Sequence, residues 1–218
     1  MNPAAIAQDA SALASQGDNE GAELLYRKGL ELFPNDARFA NSVGNFYAHA
    51  GRNEEALDLF TRALQLDASL EEAAFNKVIL LLRLGRPKEA VRLLDGSLTG
   101  STNARYWALR GNAERLSHDF SSASSSYDRS LAIDPFNARA LAGRARLALE
   151  CGDETAVVFY EEALAHSPGD PKLFLDYTQA LAAAGRHGEA LECASALVEQ
   201  VPTWVDGHSL YAEMLWSS

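Results

Sequence analysis

Small and apolar residues recur along this chain at helical spacing, in stretches of about 14 residues divided by short polar turns. The stretch 104–111, ARYWALRG, shows the pattern most plainly. Trp107 and Gly111 lie one helical turn apart, and Ala123, Tyr127 and Pro135 follow Trp107 at offsets of 16, 20 and 28. The set returns 67 residues earlier as Ala40, Gly44, Tyr47, Gly51, Ala56, Phe60 and Ala63. A further 34 residues back it reads Ile6, Ala10, Leu13, Gly17, Ala22, Tyr26, Gly29 and Pro34. Downstream, Phe174, Leu181, Gly185, Ala190 and Pro202 repeat it again.

Each unit therefore reads as a helix, a turn and a second helix. Gly17, Gly51, Gly85, Gly152 and Gly185 stand at the turns, where the left-handed conformation after a helix costs glycine nothing. Small residues at Ala10, Gly44, Gly111 and Ala145, and at Ala22, Ala56, Ala90 and Ala123, let paired helices approach closely. Pro34, Pro135, Pro168 and Pro202 end second helices, and Pro171 suits the first turn of the next one. Some positions depart from the pattern. His118 occupies a turn-glycine position, Ala68 replaces a terminal proline, and one residue is lost between Gly152 and Ala156. The run DGSLTGSTN implies a shortened second helix in the third unit.

This pattern resembles the tetratricopeptide repeat (TPR), a helix–turn–helix unit of 34 residues. Aligned to it, six repeats run 3–36, 37–70, 71–103, 104–137, 138–170 and 171–204, followed by a single helix at 205–218. The resemblance spans essentially the whole sequence. It implies an all-α fold, one α-solenoid over residues 1–218 whose helix pairs stack into a right-handed superhelix. It also implies that first helices line a concave face. Trp107 and Gly111 are then packing residues, and Arg105 projects elsewhere.

Composition narrows the class of function. The 218 residues carry a formal net charge of −11, which disfavours nucleic acid and anionic membranes as partners. The start, MNPAAIAQDASAL, has no basic n-region and no unbroken apolar run, so a cytoplasmic location is expected. Cys151 and Cys193 make no disulfide framework and match no metal-ligand spacing. His49, His118, His166, His187 and His208 fall in different repeats without an H-x-x-x-H pair. No P-loop, G-x-G-x-x-G or G-x-S-x-G motif is present. Carboxylate pairs such as Glu54–Glu55 sit on second helices as solvated residues, and the serine run 121–126 falls where a second helix starts. The expectation is a non-catalytic protein without cofactor or metal.

The first helices of repeats two to six sum to +5 in a protein of net charge −11. Acidic residues concentrate elsewhere, as expected of a groove that receives an anionic ligand. Position two of successive first helices reads Arg38, Glu72, Arg105, Arg139 and Lys172, with Arg146 further along its helix. Arginine forks bind carboxylates bidentately, so this ladder suits an acidic segment or the C-terminus of a polypeptide. Asn41, Asn45, Asn76 and Asn112 flank it. Asn45, Asn76 and Arg105 are similar to residues of the carboxylate clamp in co-chaperones that hold acidic chaperone tails. Asn41 and Leu109 depart from that clamp, each standing where it has a basic residue. Helix 71–84 is apolar nearly all round; Phe75, Ile79 and Leu82 form a second stripe, expected to face the groove as an apolar anchor site. The reading is a protein- or peptide-binding scaffold for a partner with acidic and apolar residues. The alternative is the recruiting region of a larger sulfotransferase, glycosyltransferase or 2-oxoglutarate oxygenase.

Overall fold

The computed structural model describes residues 2–97, 102–200, 202–203 and 205–217. Among them are thirteen helices and no strand. In order along the sequence they are α1 (Pro3–Ser15), α2 (Asn19–Leu32), α3 (Ala37–His49), α4 (Asn53–Leu66), α5 (Glu71–Arg83) and α6 (Pro87–Ser97), then α7 (Ala104–Leu116), α8 (Phe120–Ile133), α9 (Ala138–Glu150), α10 (Ala156–His166), α11 (Pro171–Ala183), α12 (His187–Gln200) and α13 (Val205–Ser217). Each of the seven starts expected from the sequence is the first residue of a helix. The protein divides into two compact units, Met1–Gly100 with α1–α6 and Ser101–Ser218 with α7–α13.

The turns show why the spacing works. Gly17, Gly51, Gly85, Gly152 and Gly185 all have positive φ, and so does His118 at 63°. At every one of these six turns the following N–H closes back on a carbonyl five residues earlier. Arg52 donates to Tyr47 at 2.9 Å, and Asp119 donates to Glu114 at 3.0 Å. This is the Schellman closure, which satisfies carbonyls left open at a helix end. His118 adopts it without glycine's freedom. Helix starts are satisfied by side chains: Asp18, Asp36, Asp119, Asn137 and Asp170 each accept from the first-turn N–H groups. The residue lost after Gly152 leaves α10 at 11 residues, with no side-chain cap. Helix α6 also has 11 residues, and part of the DGSLTGSTN run, 98–101, lies outside the described residues.

Within the first unit α1 packs on α2 and α3, and α5 packs on α3, α4 and α6. Within the second, α9 meets α7, α8, α10 and α11. Close approach is built from missing side chains. A Cβ on Gly44 would meet the Phe60 ring at 2.7 Å, and one on Gly111 would meet the Tyr127 ring at 2.6 Å. Gly143 is nearer still to Tyr127, at 2.4 Å. Tyr127 is thus held between α7 and α9, fully buried. Trp107 is buried too, edge-on to Tyr106 at 4.9 Å between ring centroids, with the Arg129 guanidinium 4.1 Å from its own ring centre.

Candidate functional site: a cationic pocket in the second unit

Four of the residues singled out from sequence line one pocket. Asn112 of α7, Arg139 and Arg146 of α9 and Lys172 of α11 meet around a space of roughly 300 Å³, closed by Ala138, Ala142, Ser167, Asp170 and Leu173. The geometry follows from the repeat. Arg139 and Lys172 each occupy the second position of a first helix, so packing of α9 on α11 brings them to the same end of adjacent helices. Arg146 lies two turns further along α9.

Their electrostatic states differ. The Arg139 and Lys172 side chains make no hydrogen bond or ion pair among the described residues. The Arg139 guanidinium is crowded: desolvation, then repulsion from Arg105, lowers its pKa. An anion placed beside it would offset the repulsion from Arg105 and favour its charged form. Arg146 is already paired, donating to the Asp176 carboxylate. Burial works against its charge, but the hydrogen bond and charge of Asp176 outweigh it and raise its pKa. Asp170 belongs to the fold rather than the ligand, since one of its oxygens accepts from Lys172 N–H at 3.0 Å and Leu173 N–H at 3.3 Å. Asn112 accepts a hydrogen bond from the Tyr127 hydroxyl at 2.8 Å, which leaves its amide N–H₂ to donate. Burial pushes the Tyr127 phenol up to about 12, so it stays a donor throughout the neutral range.

The other singled-out residues separate. Arg105 is exposed in the second unit, close enough to Arg139 to repel it. Arg38, Asn41, Asn45, Phe75, Asn76, Ile79 and Leu82 belong to the first unit. There Asn76 Nδ2 donates to Asn41 Oδ1 at 3.1 Å, with Asn41 only 5% exposed. Asn45 lines a different cleft, between α1 and α3. Leu109 is buried and presents nothing to a ligand.

Two expectations are corrected. Phe75 is 3% exposed, so it is a core residue and no open apolar anchor site; Ile79 and Leu82 are half-buried. The physical reason is that α5 is contacted by three helices, which explains its all-round apolar sequence without a ligand. The count of +5 on first helices overstates the positive field as well, by the one partner that lies on a second helix, Asp128 of α8; Glu114, Glu150 and Asp176 already enter that sum. Arg110 pairs with Glu114 at 2.8 Å and donates to the Tyr106 hydroxyl at 3.0 Å. Arg115 is paired with Glu150, Arg144 with Asp128 and Arg146 with Asp176. Reasoning from sequence counted Glu114, Glu150 and Asp176 as charges but matched none of them to its arginine, and left Asp128 out. The signal was available, because Arg115–Glu150 and Arg146–Asp176 are 35 and 30 residues apart, about one repeat.

Family models for the tetratricopeptide repeat match residues 47–113 and 154–214, and a second such model matches 9–71. The protein belongs to the tetratricopeptide repeat family. TPR proteins are generally non-catalytic scaffolds for protein interactions. Among curated relatives, the peroxisomal targeting signal receptor of Kluyveromyces lactis is 35% identical over 74 residues, covering 34% of this sequence and 13% of that protein. The receptor of Saccharomyces cerevisiae is 35% identical over 69 residues, 32% of this sequence and 11% of that protein. The TPR sequence therefore spans only about an eighth of the curated relatives it matches. Among solved structures, the type IV pilus biogenesis factor PilW superposes with a TM-score of 0.80 at 20% identity, covering 95% of this protein and 97% of that one. PilF of Pseudomonas aeruginosa gives 0.73 at 17% identity, with 97% of each protein covered. At these identities the likeness is one of fold. No described helix is long and apolar enough to cross a membrane.

Proposed function

We propose that this TPR protein is a non-catalytic scaffold whose second unit holds an acidic or C-terminal carboxylate-bearing segment of a protein partner in the pocket between α9 and α11. The observation that carries this reading is the convergence of Arg139, Lys172 and Asn112 on one pocket, with Arg139 and Lys172 unpaired among the described residues. Two cations and an amide donor match a carboxylate, which offers about four lone-pair sites. A space of roughly 300 Å³ sits at the small end of ligand pockets and suits the last residue or two of a polypeptide rather than a folded surface. Relatives that are receptors of a targeting signal agree with a peptide-binding role. Arg105 extends the positive field beside Arg139, where a second acidic residue of the ligand would lie.

The test is calorimetric titration of the protein with a short peptide ending in acidic residues, set against the same peptide amidated at its C-terminus. Arg139→Glu is expected to weaken binding by roughly tenfold or more, and the loss should shrink as salt rises. Arg92→Glu, an exposed change on α6, is the control and should leave affinity unchanged. If the control weakens binding as much as Arg139→Glu does, the ligand does not use this pocket. Amidation that abolishes binding identifies the terminal carboxylate as the group held.

A further inference from the structure

The four lysines of the sequence are not alike. Lys28 on α2, Lys88 on α6 and Lys172 on α11 are exposed, whereas Lys77 on α5 is half-buried. It reaches α4, where its Nζ donates to Thr61 Oγ1 at 2.8 Å. The Thr61 hydroxyl spends its own hydrogen on the Leu57 carbonyl at 2.7 Å, so toward Lys77 it can only accept. The contact therefore uses an N–H of Lys77. Once the ammonium gives up a proton, the nitrogen lone pair is free to react.

What Lys77 lacks is a counter-ion. No carboxylate pairs with it among the described residues. Glu89 of α6 and Asp58 of α4 act on it from further away, and Arg86, just before α6, opposes them. Glu89 is already committed, accepting from Arg86 at 2.7 and 2.9 Å. Burial outweighs both carboxylates and lowers the pKa of the ammonium. A partly desolvated amine that gives up its proton readily has the character of a nucleophilic lysine.

We infer that Lys77 is a modification site, at which a small acyl phosphate transfers its acyl group to Nζ. The nitrogen lone pair attacks the carbonyl carbon, the C–N bond forms, and the bond from that carbon to the phosphate oxygen breaks. Inorganic phosphate leaves with the electron pair, and the nitrogen releases one proton to solvent. The resulting amide is uncharged, so the half-buried position no longer holds an unpaired charge. It keeps one N–H, enough to go on donating to Thr61. The donor must be compact, since Lys77 is only partly open to solvent. The site lies where α5 meets α4 in the first unit, and so is separate from the carboxylate pocket of the second.

The experiment exposes the whole protein to limiting acetyl phosphate at neutral pH and reads the acetylated fraction of each lysine by peptide mass spectrometry. Lys77 is expected to lead Lys28, Lys88 and Lys172 by about threefold or more, and to lose that lead when the protein is first unfolded in urea. Thr61→Glu places a carboxylate against the amine, holds it protonated and should bring Lys77 level with the other three. The urea comparison needs no substitution, so it decides the matter even where Thr61→Glu fails to fold. Acetylation of Lys77 no faster than the others in the folded protein overturns the inference, and so does a lead that survives urea. A lead left intact in Thr61→Glu, with folding checked by circular dichroism, overturns it as well. None of these results affects the acidic-peptide titration, which reads the other unit.

Discussion

Helices α1 and α3 of the first unit and α9 and α11 of the second are laid out on the same repeat, yet their lined spaces have opposite characters. Around α1 and α3 the cleft is neutral, with serine and asparagine as its commonest polar residues. Around α9 and α11 the pocket holds two arginines and a lysine. The packing residues hardly differ: Ala10, Ala40 and Gly44 in one unit, Ala140, Gly143 and Ala145 in the other, all buried. Backbone architecture and binding chemistry are therefore written at separate positions. Small residues fix how near the helices come, and the larger side groups between them decide what the space will accept.

The sharpest way to break this comparison is to damage the shared frame in both units. Gly44→Leu drives a bulky group into Phe60, and Gly111→Leu drives one into Tyr127. Each should cost about 1–3 kcal/mol of stability by overpacking, measured by urea unfolding. Similar costs support a common frame; a melting temperature unchanged in either variant shows that unit to be packed differently. Next in size is the effect of Arg139→Glu on the acidic peptide, about 1.4 kcal/mol or more for a tenfold loss. Asn45→Ala should leave that same titration untouched, which separates the two spaces.

A smaller effect is expected at the one non-glycine turn. His118 sits at a φ of 63°, where any residue bearing a Cβ is strained by about 1–2 kcal/mol. His118→Gly removes that strain but loosens the unfolded state and loses the ring contact with Phe120. A net gain of about 0.5 kcal/mol is expected, read as a higher urea midpoint. The smallest effect concerns pH. Arg52 donates to Glu23 at 2.7 Å and also pairs with Glu55, and these hydrogen bonds hold both carboxyls below their ordinary range. A carboxyl depressed on folding contributes stability above its unfolded pKa, about 4.3 for Glu, and loses it as pH falls through the lower folded value. Thermal melts should therefore fall on acidification through that window, and Arg52→Met should flatten the response. Because the pairs are solvated, the flattening will be slight.

The frame was legible in the sequence because it rests on residue types with few substitutes. Glycine at the left-handed turns, with His118 the exception, alanine or glycine at helix contacts, and proline after most second helices mark positions that few residues can fill, and each of the seven helix starts follows from them. The pocket was legible in part. Position two of the first helices identified Arg139 and Lys172, since stacking brings equal positions together. Charge compensation was not legible within one repeat: the partner of Arg146 is Asp176, a repeat away, and a count along single helices treats both as independent. Phe75 failed for a related reason. An apolar residue on a helix with three neighbours and one on an open groove look alike in sequence, and only packing separates them.

Tyr127 ties the pocket to the body of the second unit. Its ring is wedged between Gly111 and Gly143, and its hydroxyl is spent on Asn112, which lines the pocket. The floor of the binding space and the seam between two repeats are thus one mechanical piece. Were a ligand to tighten Asn112, the hydrogen bond from Tyr127 would carry that restraint to the seam. Occupancy would then register far from the ligand as slower amide exchange along α7 and α9, and Tyr127→Phe would uncouple the two while leaving the wedge in place.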